Sequence, residues 1–311
     1  MQYLHLVASI LLGTLKSIVT KGVRAEGLVR TMLVNVITFA IAFAAIFLMG
    51  LPNLKWNSEL PWLLVVGNAA SILFSQIALL KAIEYGGMAL STLFYSCGFV
   101  VSTTWGCIYY KEPVNAFHII GFILVLVSLI MVVGKKEKGA FNLKWLLCAL
   151  AGLVFSGTIG ITQKLFTSGD AGDSLDLFLC AVFAAIVAIS AVLCGLFWLL
   201  KKVKPGVRPE TVAQGSAEED AKNVSRRKVL TVICTVALGV ILGVYNKLNT
   251  YLAGALPSIL VFPILNGGVI AVTAAVSALL FKEKLRVLQI VGIAVCIAAI
   301  ALIGYGQYIA G

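Results

Sequence analysis

Charge is scarce in this chain. Asp, Glu, Lys and Arg make up 12% of its 311 residues, about half the share of a soluble domain. Acidic residues are the rarer sign, 13 against 24 basic, and none lies in the middle of a long apolar run. Histidine occurs only at His5 and His118. These shortages exclude several chemistries. There is no His-Glu-x-x-His, no paired intramembrane Asp and no Gly-x-Ser-x-Gly nucleophile with a histidine, so an intramembrane hydrolase lacks its groups. No Gly-x-x-x-x-Gly-Lys-[Ser/Thr] loop exists for nucleotide-driven work. The seven cysteines (97, 107, 148, 180, 194, 234 and 296) lie in apolar runs without Cys-x-x-Cys or Cys/His spacing. They read as small packing residues. No metal or cofactor is expected, and the chain reads as a non-enzyme.

Apolar residues are abundant. Sixty per cent of the chain is hydrophobic and the mean hydropathy is +1.03. One or two soluble cores could not hide that much apolar surface, and disorder is excluded by the same figures. What remains is an integral membrane protein. Ten apolar segments can be marked, at about 4–20, 30–50, 61–80, 87–110, 117–133, 143–163, 175–200, 229–252, 256–281 and 286–308. They are too long for strands and show no apolar–polar alternation, which excludes a membrane β-barrel. The N-terminus has no basic n-region and no Ala-x-Ala-like site, so the first segment is expected to stay in the membrane. One connection, 201–228, is long and polar.

Basic residues sort by face. The loops on the face holding both termini contain three, Lys55, Lys111 and Lys164, whereas the opposite loops contain nineteen. The excess of Lys and Arg marks the cytoplasm, so the 201–228 loop is expected inside and both termini outside. The net charge of +11 is thus a topology signal, and nucleic acid is not an expected partner. Trp56, Trp62, Trp145 and Trp198 fall at segment ends and are expected in interfacial belts.

The chain also repeats itself. Residues 74–131 align without gaps on 245–302 at an offset of 171, placing Lys111-Glu112 on Lys282-Glu283, Ile119 on Ile290 and Gly121 on Gly292. The first segment aligns on the sixth at an offset of 143, placing Thr20-Lys21 on Gln163-Lys164. Each half then has five segments. An odd number means that the second half enters the membrane from the other face, an inverted repeat of the kind that makes alternating access available. The expected fold is an all-α integral membrane protein of ten transmembrane helices in two inverted five-helix repeats. Residues 1–134 form the first and 142–311 the second, which carries the polar cytoplasmic loop.

Two such halves, each with a small-residue-rich helix, Lys-Glu, and a helix containing Ile-x-Gly, resemble the drug/metabolite transporter superfamily, in particular its ten-helix EamA-type members. The likeness is best over Ala82–Val133 and Ala253–Gly304 and implies fold and transport rather than a substrate. Members of that superfamily usually have cytoplasmic termini, and the nineteen-to-three count gives the reverse here. Small multidrug-resistance relatives carry a membrane Glu in the first helix; this chain has Lys16 nearby, which disfavours a cationic-drug/proton antiporter.

Polar residues within spans mark the candidate site, because they usually face a cavity or a neighbouring helix. The offset of 171 pairs Tyr95 with Asn266, Ser75 with Asn246 and Gln76 with Lys247. Matched polar positions in inverted halves suggest one shared cavity near mid-membrane. Tyr95, Asn266, Gln76, Asn246, Lys16 and Lys247 are therefore the candidate substrate-binding residues. Two lysines have rival readings: Lys16 could snorkel to the headgroups, and Lys247 could anchor near its helix end. Pro263, Gly267 and Gly268 suggest a discontinuous helix around Asn266. Glu112 and Glu283 read as caps for the helices that follow them, or as partners of their lysine neighbours. The expected function is secondary transport of a small polar metabolite (an amino acid, sugar or organic anion) by alternating access. The rival readings are an intramembrane enzyme and a lipid-handling scaffold. The implied partners are a small-molecule substrate and the bilayer, and a homodimer is compatible with the reading.

Overall fold

The computed structural model describes residues 2–22, 28–51, 60–86, 88–133, 143–169, 174–203, 217–281 and 286–310. The described residues form eleven helices: α1 (Gln2–Gly22), α2 (Leu28–Gly50), α3 (Trp62–Gly86), α4 (Met88–Ser96), α5 (Phe99–Tyr110), α6 (Ala116–Val133), α7 (Leu143–Thr167), α8 (Leu175–Val203), α9 (Ala217–Ala255), α10 (Ser258–Phe281) and α11 (Val287–Ala310). Eight of them are long and apolar enough to cross a membrane, and Ala116–Val132 is a shorter apolar helix. Helix suits hydrocarbon because it satisfies the backbone within the segment. Large apolar side chains point outward, among them Leu63, Ile108, Leu147 and Leu230, while Asn68, Ser75, Ser102 and Gln163 are buried. That inside-out arrangement belongs to a multi-pass membrane protein.

The helices pack in neighbouring pairs. α3 lies on α7, α1 on α9 and α10, α2 on α8 and α9, α5 on α7 and α10, and α6 on α11. Two apolar clusters result. One draws Leu6, Phe99, Val125, Leu252, Leu265 and Ile303 together. The other joins Phe39, Ile72, Phe166, Phe178 and Phe183. The α6–α11 seam is closed by two glycines. A Cβ on Gly121 would stand 2.6 Å from Ile303 and 3.0 Å from the Ala299 carbonyl, and one on Gly292 would stand 2.8 Å from Met131 and 2.9 Å from Val132. Small residues let helices approach where lipid supplies no hydrophobic drive for association.

Several expectations need correction. The segment expected as one span over 87–110 is two helices. Between Tyr95 and Val101 the bonding tightens to i→i−3, with Gly98 N–H donating to the Tyr95 carbonyl and Val101 N–H to the Gly98 carbonyl. α10, by contrast, runs unbroken through Pro263, so the discontinuous helix is the one that carries Tyr95. Pro263 is the sixth residue of α10, so the helix forgoes one ladder bond there without dividing. The connection 201–228 is shorter than expected, because α8 continues to Val203 and α9 starts at Ala217. Trp145 is packed inside the protein rather than facing outward. It is 1% exposed, donates to Ser91 Oγ at 3.1 Å and stands edge-on to Phe94. Trp62 is exposed, as a belt residue should be. Trp56, Glu283 and the side chain of Trp198 lie outside the described residues.

Glu112 does not cap α6. The start of α6 is held by its own chain, with His118 N–H donating to Asn115 Oδ1 at 3.1 Å and Asn115 N–H to His118 Nδ1 at 3.3 Å. α11 is capped in a related way, Arg286 N–H donating to Gln289 Oε1 at 3.0 Å. These N3 side chains do what the Glu of a capping box does.

The seam yields a prediction. Gly121→Leu should lower stability in detergent by about 1–3 kcal/mol, because a side chain cannot enter without parting the helices. Gly304→Ala, where a Cβ meets nothing within 4 Å, should leave the thermal midpoint unchanged or raised. Equal effects of the two substitutions would contradict the close α6–α11 packing.

Candidate functional site

Between the two apolar clusters lies a cavity of about 210 Å³. Its apolar walls come from both: Phe39, Ile72 and Phe183 from one, Phe99, Phe262 and Leu265 from the other. Helical spacing selects the lining. α7 contributes Ser156, Ile159, Gly160 and Gln163, and α10 contributes Phe262, Leu265 and Asn266. α9 contributes Leu242, Tyr245, Asn246 and Asn249. Each set follows the i, i+3, i+4 rule for one helix face.

Five of the six candidate residues line this cavity: Tyr95, Asn266, Gln76, Asn246 and Lys16. Lys247 does not. Its Nζ forms an ion pair with Asp176 Oδ1 at 2.6 Å, on the first turn of α8. The reason is angular. At about 100° per residue, Tyr245, Asn246 and Asn249 share one face of α9, and Lys247 points roughly 155° from the middle of it. Lys247 is thus turned from the cavity into an ion pair between α9 and α8.

Lys16 does not snorkel. Its ammonium stands 4.6 Å from the centre of the Tyr245 ring, a cation–π contact that helps hold a charge away from water. α1 comes this close because residue 13 is glycine: a Cβ there would meet Val269 at 2.6 Å and Tyr245 at 3.0 Å. Among the described residues, Lys16 is the one charged group lining the cavity, and no carboxylate lines it.

The carboxamides are oriented by their own helices. Asn266 Nδ2 donates to the Phe262 carbonyl at 2.9 Å, and Asn246 Nδ2 to the Leu242 carbonyl at 2.9 Å. One N–H of each amide is thereby engaged, and each amide oxygen can accept. Tyr95 stands at the α4–α5 tightening. Its carbonyl accepts from Ser156 Oγ at 2.8 Å, and Ser102 Oγ donates to the Gly157 carbonyl at 2.9 Å. A Cβ on Gly98 would stand 1.9 Å from Ser156 Oγ, so only glycine allows this docking. The arrangement presents one ammonium, several neutral acceptors and two phenols to a solute of limited size.

No family model and no curated protein matches the chain. A solved structure, described only as a crystal structure of a protein, superposes with a TM-score of 0.74 at 16% identity. The match covers 97% of this chain and 98% of that one. At that identity the likeness shows a shared fold alone.

The remaining polar lining residues, Tyr245, Asn249, Gln163, Ser102 and Ser156, were not among the candidates. Tyr245 and Asn249 share a helix face with Asn246, and that spacing was the available signal. Ser102, Ser156 and Gln163 have only small or neutral polar side chains, and nothing in the local sequence separates them from packing residues.

The Lys247–Asp176 pair gives a second prediction. Lys247→Met and Asp176→Asn should each destabilise by about 1–2 kcal/mol, since each leaves a partly buried charge unpaired. The double variant should cost less than the sum. Thermal unfolding of the four proteins closes the cycle. Strict additivity would mean that the pair is not coupled.

Proposed function

We propose that this protein is a secondary transporter that carries a small polar metabolite by alternating access, with ten membrane crossings in two inverted five-helix halves. The observation that carries the reading is the cavity, where polar residues from corresponding positions of both halves converge between two apolar clusters. Tyr95 and Asn266, matched at the 171-residue offset, line it together. Reciprocal contacts support the two-half plan. Gly121 meets Ile303 and Gly292 meets Val132, and each contact is the other shifted by the offset. Likewise Gly13 meets Val269 and Gly98 meets Ser156, related by the two offsets of 143 and 171. The resemblance to EamA-type transporters points the same way. The excess of basic residues in the opposite loops supports termini outside.

The site chemistry favours an anionic or zwitterionic solute. A carboxylate would meet the Lys16 ammonium, as a charge-assisted hydrogen bond. An amine or hydroxyl on the same molecule would donate to the oxygens of Asn246 and Asn266. A single lining ammonium suits one negative charge rather than several.

Counterflow in liposomes holding the purified full-length protein tests this. The panel would comprise amino acids, hydroxy acids, sugar acids and neutral sugars. Saturable exchange is expected for at least one singly anionic or zwitterionic solute. Lys16→Met should reduce it about tenfold or more, and Asn266→Ala should reduce it several-fold, the range for hydrogen bonds to charged and neutral groups. Exchange of cations alone, or normal exchange by both variants, would defeat the proposal.

A further inference from the structure

One cluster of ionisable groups lies at the edge of the cavity without forming part of its lining. α5 ends on Lys111 in the left-handed conformation, φ 50° and ψ 41°, and Pro113 follows. A left-handed residue ends a helix sharply, and the residue before a proline is pushed out of helical conformation. Together they swing Glu112 away from its own chain toward α10. Its carboxylate accepts from Ser258 N–H at 2.8 Å and from Ile259 N–H at 3.2 Å. Lys164 Nζ, near the end of α7, stands 3.5 Å from the same carboxylate, with both side chains 9% exposed. That ammonium also donates to the Leu256 carbonyl at 2.9 Å, just after α9, and lies 5.5 Å from the centre of the Tyr110 ring.

We propose that Glu112 and Lys164 are the gating pair of the transport cycle, a latch closing the cavity toward the face that bears the chain termini. The inference rests on the transport reading above. Three arguments carry it. First, the pair joins α5, from before residue 134, to α7, α9 and α10, from after it, so it spans the two proposed halves. Second, its members adjoin the cavity lining: Gln163 precedes Lys164, and Phe262 lies one turn beyond Ser258. Parting the pair moves those walls. Third, α10 has no cap of its own. Ser258 Oγ is buried without a hydrogen-bond partner, whereas α6 and α11 are capped from within their own segments. The start of α10 therefore depends on a carboxylate delivered from the other half.

The same physics makes the latch two-state. While the pair is buried, each charge neutralises the other and satisfies backbone groups of α10 or the α9–α10 turn. Half-open, both charges and those backbone groups would be dry and unpaired, which is costly. Fully open, water replaces every partner. Intermediate arrangements are disfavoured, and the face is either shut or wet.

The test reads access rather than transport. Ile159, on the cavity wall, is replaced by cysteine in a full-length chain whose native cysteines are alanine. Vesicles of one orientation are treated with a membrane-impermeant maleimide from the terminal face and, separately, from the opposite face. Glu112→Gln and Lys164→Gln should each raise labelling from the terminal face about tenfold. Lys164→Arg, which keeps the charge, should stay near the parent rate. Lys164→Gln leaves the Glu112 caps on α10 in place, so it carries the test if Glu112→Gln does not fold. Unchanged labelling in the variants that fold would overturn the latch and leave the pair a structural cap. Labelling needs no transported solute, so failure of every counterflow assay beside a released latch would defeat the transport reading alone.

Discussion

A backbone carbonyl freed from its helix inside a membrane has to find a donor within the protein. The Tyr95 carbonyl has an i→i−3 bond from Gly98 N–H and takes Ser156 as a second donor. The hydroxyl of α7 reaches the carbonyl where α4 tightens and gives way to α5, and the absence of a side chain on Gly98 lets it reach. Much of the site follows from this bond. It holds the division of the Met88–Tyr110 segment, keeps the Tyr95 side chain on the cavity wall and fixes α5 against α7. Ser102, one turn into α5, then completes the docking by donating to Gly157. An alanine at position 98 would force the two segments apart and remove the wall.

The cavity persists because the charges around it are separately neutralised or positioned. Lys247 is taken by Asp176 and Lys164 by Glu112. Among the described charged residues, Lys16 alone lines the cavity, held over the Tyr245 ring. The apolar clusters on either side keep the cavity narrow and its dielectric low. On the proposed reading, one ammonium in such a setting would discriminate strongly, because a solute that cannot meet it leaves a charge poorly solvated. The neutral carboxamides add direction without net charge. The volume, about 210 Å³, lies below the usual range of drug-sized ligand pockets.

The sequence was most informative where it counted symmetry and least where tertiary contacts decide. The offset of 171 brought Tyr95 and Asn266 to the same depth, and both line the cavity. It also paired Gln76 with Lys247, yet only Gln76 lines it, because an alignment fixes depth and not the direction a side chain takes around its helix. Counting residues around α9 would have separated Lys247 from Asn246. Pro263 marked the wrong helix for the discontinuity. Proline signals a missing donor, whereas at Gly98 the decisive fact is a serine on another helix, Ser156. Trp145 read as an interfacial residue because its segment begins there, but Ser91 supplies a buried acceptor for its indole N–H. Glu112 could not have been assigned to α10 from local pattern, since the groups it caps lie more than a hundred residues further on.

Symmetry in sequence need not mean symmetry in conformation, and the proposed halves differ where they would have to. Ser102 donates to the Gly157 carbonyl. The two offsets carry that pair onto Thr273 and Thr14, whose hydroxyls are both buried without a hydrogen-bond partner. One contact is made and its counterpart is not. The helix carrying Tyr95 is divided, while the one carrying Asn266 is continuous. A molecule whose inverted halves adopted the same conformation would be open to both faces or to neither. Two halves in different local states give access to one face at a time, and exchanging those states between the halves would reverse it. On the proposed transport reading, the unpaired Thr273 hydroxyl would find its partner, the Thr14 carbonyl, in the other arrangement.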